Sequence, residues 1–413
     1  MNVLLVSHNF PPESNALANR AHEHARYWVA GGGHVEVLTD VPSFPEGKVY
    51  DGYRNRYARE TLDGVIVHRC PLLPLENRGV ARRTILYASF MLSAVWHSRR
   101  LQRTPDVIVA SSPHLLAGLA GWAISRLRGI PFVLEVRDLW PESVVAVDAL
   151  PPDHWMVRAG SAVADRLYRT ADGIVVVTRT FRRTLLERGV DPGRLAYVPN
   201  GVDPDAFQIS ASDAELERLR GELDLDGRFV ASYLGTVGKA HRADVLYEAA
   251  CHSDDELAFL VAGPGSEWRA LRQRQLQNPL PNFRLLPKQP KSRIPLLLAL
   301  SHVSIVHLKD RPLFRTVLPS KIFEAMAAGN PIVLGVRGEA AEMISEADAG
   351  IPVAPESPQE LVEAVRRLRD DRQLYHRMSQ NGRQAVRERF NRAQLAEEYW
   401  TQLEGFVARA RAG

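Results

Sequence analysis

Cysteine is nearly absent from this 413-residue chain, which has only Cys70 and Cys251. They lie far apart, without C-x-x-C or Cys/His ligand spacing, which excludes a disulfide scaffold and a zinc module and fits reduced thiols in a cytoplasm. Long apolar runs are missing too. The most apolar internal stretch, Ile85 to Trp96, falls short of the roughly 20 residues a spanning helix needs. Met1-Asn2 leads straight into Val3-Leu4-Leu5-Val6 with no basic n-region or cleavage site, so no signal peptide is expected and the chain is expected to stay in the cytoplasm. Charge of one sign is scarce: Lys+Arg 52 against Asp+Glu 48 gives +4, too weak a field for a nucleic-acid partner. Gly 28 and Pro 27 are too few for a low-complexity chain. Only six lysines occur, five of them between 239 and 321, where a compact ammonium suits a phosphate site.

What is present is ordinary globular composition, 45% hydrophobic and 24% charged, long enough for two or three domains at roughly 100 to 200 residues each. Short Val/Ile/Leu-rich runs alternate with helical patterns. Strands are expected at 3–7, 35–39, 65–69, 107–110, 132–136, 174–178 and 195–198, with helices between them at 17–30, 115–127, 155–169 and 181–188. Nearly continuous apolar strands separated by helices imply a parallel sheet covered on both faces. The turn-rich Pro199-Asn200-Gly201-Val202-Asp203 closes that half. The scheme then repeats at 229–234, 258–262, 283–286, 303–306, 331–334 and 351–353, followed by a helical region from about 358 to 412. The fold class is α/β, with two sheets and an expected ligand cleft between them.

In such sheets ligands meet the loops after the carboxyl ends of strands. Pro319-Ser320-Lys321-Ile322-Phe323-Glu324 through Gly329-Asn330-Pro331 reads as a helix with Pro and Ser at its start and Gly-Asn-Pro at its stop. Its N-terminus would attract a phosphate, Ser320 and Lys321 adding a hydroxyl and a charge. Glu324 lies about one turn on, where it could meet ribose hydroxyls. Gly235-Thr236-Val237-Gly238-Lys239, with His241 and Arg242, is a glycine loop suited to close approach by an anion. Gly263-Pro264-Gly265 reads as a structural turn.

Phe10-Pro11-Pro12-Glu13, Arg137-Asp138-Leu139-Trp140-Pro141-Glu142, Tyr197 to Asp203, Pro319 to Gly329 and Gly338-Glu339-Ala340-Ala341-Glu342, in that order along the chain, resemble family 4 glycosyltransferases of the GT-B fold. Pro42 to Lys48 and Gly52-Tyr53-Arg54 are similar to the bacterial surface-polysaccharide branch to which L-fucosamine transferases are ascribed. The resemblance implies two Rossmann-like parallel-sheet domains facing across a cleft. These are an N-terminal acceptor-binding domain over 1–203, a C-terminal nucleotide-sugar domain over 204–391 and a crossover helix over 392–413 returning to the first domain. It implies catalytic roles for Asp138, Arg137 and Lys321, and donor binding by Gly235, Thr236, Lys239, Arg242, Ser320, Glu324, Glu339 and Glu342. Glu13 and Arg20 fall on the acceptor side. Arg137 replaces the family's common histidine, Thr316 a common glutamate and Ser14-Asn15-Ala16 a common Gly-Gly pair.

The reaction so implied is retaining transfer of a sugar from a nucleotide diphosphate, with UDP the expected nucleotide, to a lipid-linked or small-molecule acceptor. Preorganised donors would stabilise the leaving diphosphate. No metal and no cofactor is expected, the nucleotide sugar being a substrate. A nucleotide-sugar 2-epimerase of the same architecture and a non-catalytic sugar-nucleotide-binding subunit are the competing readings. Residues 78–103 hold Arg78, Arg82, Arg83, Arg99, Arg100 and Arg103 around the apolar stretch, and no acidic residue occurs from Asn77 to Pro105. This pattern suits peripheral contact with an anionic membrane face or a buried helix with solvated ends.

Overall fold

The computed structural model describes residues 1–76, 79–112, 114–140, 145, 150–151, 153–208 and 212–412. The chain divides into two compact units, unit 1 comprising 1–199 with the segment from Arg392 onward, and unit 2 comprising 200–391.

Unit 1 runs β1 (Asn2–Val6), α1 (Ala16–Ala30), β2 (His34–Asp40), β3 (Ala58–Leu62), β4 (Val65–Cys70), α2 (Val80–His97), β5 (Val107–Ser111), α3 (Leu115–Arg128), β6 (Phe132–Val136), α4 (Trp155–Thr170), β7 (Gly173–Val176), α5 (Arg179–Glu187) and β8 (Leu195–Tyr197). The strands form one sheet in the order β3-β4-β2-β1-β5-β6-β7-β8. Its pairs are parallel apart from the antiparallel β3–β4 edge. Strands β5, β6 and β7 are buried along their whole length, as expected when helices cover both faces. Strand β3 was not anticipated, because Ala58-Arg59-Glu60-Thr61-Leu62 carries charges and sits largely exposed at the sheet edge; such charge discourages edge-to-edge pairing.

Unit 2 runs α6 (Asp213–Glu222), β9 (Phe229–Leu234), α7 (Asp244–Cys251), β10 (Leu257–Ala262), α8 (Trp268–Gln277), β11 (Phe283–Leu286), α9 (Ile294–Leu300), β12 (Val303–His307), α10 (Lys321–Ala328), β13 (Ile332–Gly335), α11 (Glu339–Glu346), β14 (Gly350–Pro352), α12 (Pro358–Asp370) and α13 (Arg372–Arg389). Its sheet is ordered β11-β10-β9-β12-β13-β14 and parallel throughout. On one face Val245, Leu361 and Val365 pack over Phe259 and Val261. On another, Ile322, Phe323 and Met326 from α10 pack with Leu334 and Ile344. Burying these side chains contributes roughly 1.5–3 kcal/mol for each large one.

The last helix, α14 (Arg392–Ala412), belongs to unit 1. Trp28 of α1 donates its indole N–H to Ala396 O at 2.9 Å. Arg392 pairs with Glu23 at 2.8 Å. The Phe406 ring covers Gly173 so closely that a Cβ there would stand 2.4 Å from it. No helix of the described residues is long and apolar enough to cross a membrane.

Candidate functional site

In unit 2 the strand order reverses between β9 and β12, the point of an open parallel sheet where crossovers diverge and leave a crevice at the carboxyl ends. The loop after β9 is held by its neighbour after β10. Gly235 N–H donates to Ala262 O at 2.8 Å, Val237 N–H to Pro264 O at 2.7 Å, and Glu267 N–H to Val237 O at 3.0 Å. This zipper needs glycine: Gly263 has φ 151, and a Cβ on it would fall 1.9 Å from Gly235 O. Gly263-Pro264-Gly265 thus shapes the loop that carries Gly235 and Thr236.

Lys321 opens α10 and turns its chain under that loop. Its Nζ is buried with no hydrogen-bond partner among the described residues and lies 3.7 Å from the centre of the Tyr233 ring. A small hollow between β9 and β12, lined in part by Ser232, Ser304, Lys321 and Glu324, adjoins it. Burial draws the ammonium down to about 7, with Glu324 opposing. Ser320 precedes the helix and does not cap it with its hydroxyl, and Glu324 is half-buried in the first turn. Thr236 and Lys239 are exposed. Arg242 directs its guanidinium to Asp244 and Glu356, fixing the loop's far end, where His307 Nδ1 and His241 O also meet at 2.9 Å. Burial drives His241 down to about 3, with Lys321 adding to it, so its ring is neutral. Glu339 is buried at the start of α11 and Glu342 is exposed. Thr316 directs its hydroxyl to Leu313 O at 2.7 Å, closing its own turn.

At the carboxyl ends of the unit 1 strands, Arg137 N–H donates to Ser112 Oγ at 2.8 Å and its guanidinium to Ala16 O at 2.9 Å. The remaining Nε and Nη1 are buried without hydrogen-bond partners among the described residues. Burial lowers Arg137 to about 10 and Glu135 opposes, while burial lifts Asp138 to about 6 against Arg137. Glu142 and Pro141 lie outside the described residues, as does Arg78. Glu13 and Arg20 face inward. Glu13 Oε1 accepts from the Ser43 and Phe44 N–H groups at 2.9 and 2.8 Å, and Oε2 from Asn9 at 2.7 Å. Burial lifts Glu13 to about 7. Arg20 pairs with Glu135 at 2.9 Å and donates to Pro199 O and Val198 O at 2.8 and 3.0 Å. Both therefore fasten the loops of unit 1 from within.

Sequence reasoning missed several groups. His8 Nδ1 stands 3.1 Å from Asp40, amid Tyr87 and His114. Burial pulls His8 down, but Asp40 more than reverses it, leaving it above its ordinary value. Tyr233 beneath Lys321 was also missed, although an aromatic two residues before the glycine loop could have signalled it. Two Asp-x-Asp triplets, Asp203-Pro204-Asp205 and Asp224-Leu225-Asp226, were passed over. Asp203 accepts from Asp205 N–H at 3.2 Å in a turn, and Asp224, at φ 52, pairs with Arg284, so both triplets shape turns.

Two Rossmann-like parallel-sheet units, with an anion-suited cradle in the second, define the class. Residues 15–201 match the Glycosyl transferase 4-like domain, and residues 217–385 match Glycosyl transferases group 1. The chain belongs to the glycosyltransferases of the GT-B fold. It is 26% identical over 375 residues to WcaI of Escherichia coli (strain K12), a glycosyl transferase ascribed to colanic acid biosynthesis, covering 89% of this chain and 91% of that one. In fold it is similar to sucrose-phosphate synthase from Thermosynechococcus elongatus, with TM-score 0.79, 18% identity and 99% of each chain covered. It is also similar to Anabaena HepE in complex with UDP-glucose, with TM-score 0.73, 15% identity, and 98% of this chain and 99% of that one covered.

Proposed function

We propose that this chain is a retaining, metal-independent hexosyltransferase that carries a sugar from a nucleotide diphosphate, with uridine as the base, to a lipid-linked saccharide in surface-polysaccharide assembly. One observation carries the reading: an ammonium buried without a hydrogen-bonded anion at the start of a helix, under a glycine loop, where the unit 2 sheet reverses. As the bond from the sugar C1 to the diphosphate breaks, charge grows on the leaving oxygens. Lys321 and the α10 terminus meet that charge in a site already organised for it. Glu324 takes the ribose hydroxyls, and Glu339 with Glu342 faces the sugar. Asp138 and Arg137 orient the sugar or acceptor in unit 1. The acceptor oxygen bonds to C1 on the face the diphosphate leaves, and its proton passes to a diphosphate oxygen, so no side-chain nucleophile is needed. WcaI's ascribed pathway and the UDP-glucose held by HepE support the substrate classes. A deoxyamino sugar of the L-fucosamine type follows from the sub-branch resemblance.

A thermal-shift series with UDP, GDP and dTDP tests this without knowledge of the acceptor. UDP should raise the melting temperature, EDTA should leave the shift intact, and Glu324→Ala should abolish it. If none of the three nucleotides stabilises the protein, or Glu324→Ala responds as wild type, the reading fails.

The acceptor class rests on α2. Ile85, Leu92 and Trp96 are exposed at 50%, 66% and 64%, on one helical face by their spacing. Leu73, 57% exposed, lies beside them through its N–H bond to Ser89 Oγ at 2.9 Å. Arg82, Arg99 and Arg100 are exposed around this stripe, an arrangement that suits an anionic bilayer surface. Flotation with phosphatidylglycerol vesicles, but not with phosphatidylcholine alone, is the expected outcome, and Leu92→Glu should release the protein while UDP still binds. Equal flotation by the variant would remove α2 as the contact.

A further inference from the structure

Tyr233 is fully buried in β9, and the two ends of its side chain reach different parts of the cradle. Its hydroxyl donates to Thr236 O at 2.7 Å, fastening the peptide between Thr236 and Val237. Its ring face lies 3.7 Å from Lys321 Nζ. Between them Gly235, at φ 147, leaves room for the lysine: a Cβ there would stand 2.7 Å from Nζ and 3.0 Å from Cε. Lys321 has no ion pair or hydrogen bond among the described residues. A buried ammonium without a hydrogen-bond partner is costly; Glu324 attracts this one without pairing with it, and the negative face of the Tyr233 ring is in direct contact with it. Leucine, being smaller, would leave a cavity and could neither face the ammonium nor hold Thr236.

We propose that Tyr233 is a positioning residue for the diphosphate site. Its ring seats the Lys321 ammonium and its hydroxyl fixes the Thr236 peptide, so one side chain sets the glycine loop and the start of α10 against each other. The inference rests on the reading of this cradle as a nucleotide-diphosphate site. It goes beyond that reading in assigning an apolar core position a part in binding.

The test is a double-mutant cycle read by calorimetric titration with UDP. Tyr233→Phe keeps the ring and loses the tether, and should weaken UDP about 3- to 5-fold, in line with one neutral hydrogen bond. Tyr233→Leu loses both and should weaken it about 30-fold or more, in line with a desolvated cation–π contact. In a Lys321→Met background, which by itself weakens UDP, Tyr233→Leu should cost no more than Tyr233→Phe does. A merely structural tyrosine would give the same factor in both backgrounds, and that additivity overturns the proposal even though the site reading survives. If Lys321→Met leaves UDP affinity unchanged, the site reading and this inference fall together. Should Tyr233→Leu not fold, Tyr233→Met, an unbranched side chain without a π face, replaces it in the same cycle. Its cost should fall to that of Tyr233→Phe when Lys321 is methionine, and an equal cost in both backgrounds overturns the proposal.

Discussion

Replacing Lys321 by methionine should stabilise the fold while disabling the enzyme, and the two effects can be sized separately. Burial holds the ammonium at about 7 rather than the ordinary 10.5. A lysine depressed in the folded state carries no penalty above the unfolded value, an increasing one as pH falls toward 7, and the full penalty below it. The fall from 10.5 to about 7, at roughly 1.4 kcal/mol per pH unit, is about 5 kcal/mol in full and about 4 kcal/mol at pH 7, where half of the folded molecules have already lost the proton. The Tyr233 face returns up to about 2 kcal/mol, which leaves about 2 kcal/mol for methionine to recover at pH 7. At roughly 2–4 °C per kcal/mol for a unit of this size, the melting temperature should rise by about 4–8 °C at pH 7, and the gain should shrink toward pH 10. Turnover should move the other way, by about 100- to 1,000-fold, as when one donor to a charged transition state is lost. Scanning fluorimetry at several pH values and initial rates with a UDP-sugar read both. A variant that melts lower than wild type at pH 7 would show the lysine to be a structural tie, and the reasoning about its buried charge would be wrong.

Other positions give independent checks. Glu36 accepts from His68 at 2.8 Å and from the Gln102 and Arg103 N–H groups at 2.9 and 3.0 Å. Burial pushes it up, but these bonds and that of His34 outweigh it and hold it at about 2. Its contribution is therefore present above about 4.5 and lost as pH falls toward 2; Glu36→Gln should cost about 1–3 kcal/mol in urea titrations at pH 6 and flatten the acid limb. Gly263→Ala places a methyl 1.9 Å from Gly235 O. It should cost about 1–3 kcal/mol from overpacking and weaken UDP, whereas unchanged UDP affinity would separate the zipper from the site. Gly173→Ala meets the Phe406 ring at 2.4 Å and should expose α14 to limited proteolysis, and an unchanged cleavage pattern would contradict the packing.

The sheets were legible because their strands are buried on both faces and so appear as plain apolar runs: Phe132–Val136, Phe229–Leu234 and Phe283–Leu286 run where the sequence puts them. Strand β3 was illegible for the converse reason. Its Arg59 and Glu60 are at home on a solvated edge, and a pairing made by backbone bonds to β4 leaves no apolar signature. The helix α10 was legible from both ends, through Pro319 and Ser320 before it and Gly329 after it, which takes φ 82.

The direction of a polar side chain was not legible, and this matters most for the site. Glu13 and Arg242 on loops and Arg20 on α1 stand where a substrate contact is a natural expectation, yet each is bound to protein partners. Lys321 is the opposite case: it sits at a helix start, where exposure is the simple reading, and its ammonium is buried instead. A sequence records which residue follows a strand but not whether its charge has already found a counter-group. The residues with catalytic potential are those whose charge is buried and incompletely matched, because such a charge costs folding energy that a ligand of opposite charge would offset. By that criterion Lys321 in unit 2 and Arg137 in unit 1, each buried with nitrogens that find no hydrogen-bond partner among the described residues, are the candidates, whereas the equally buried Arg392 is matched by Glu23 at 2.8 Å.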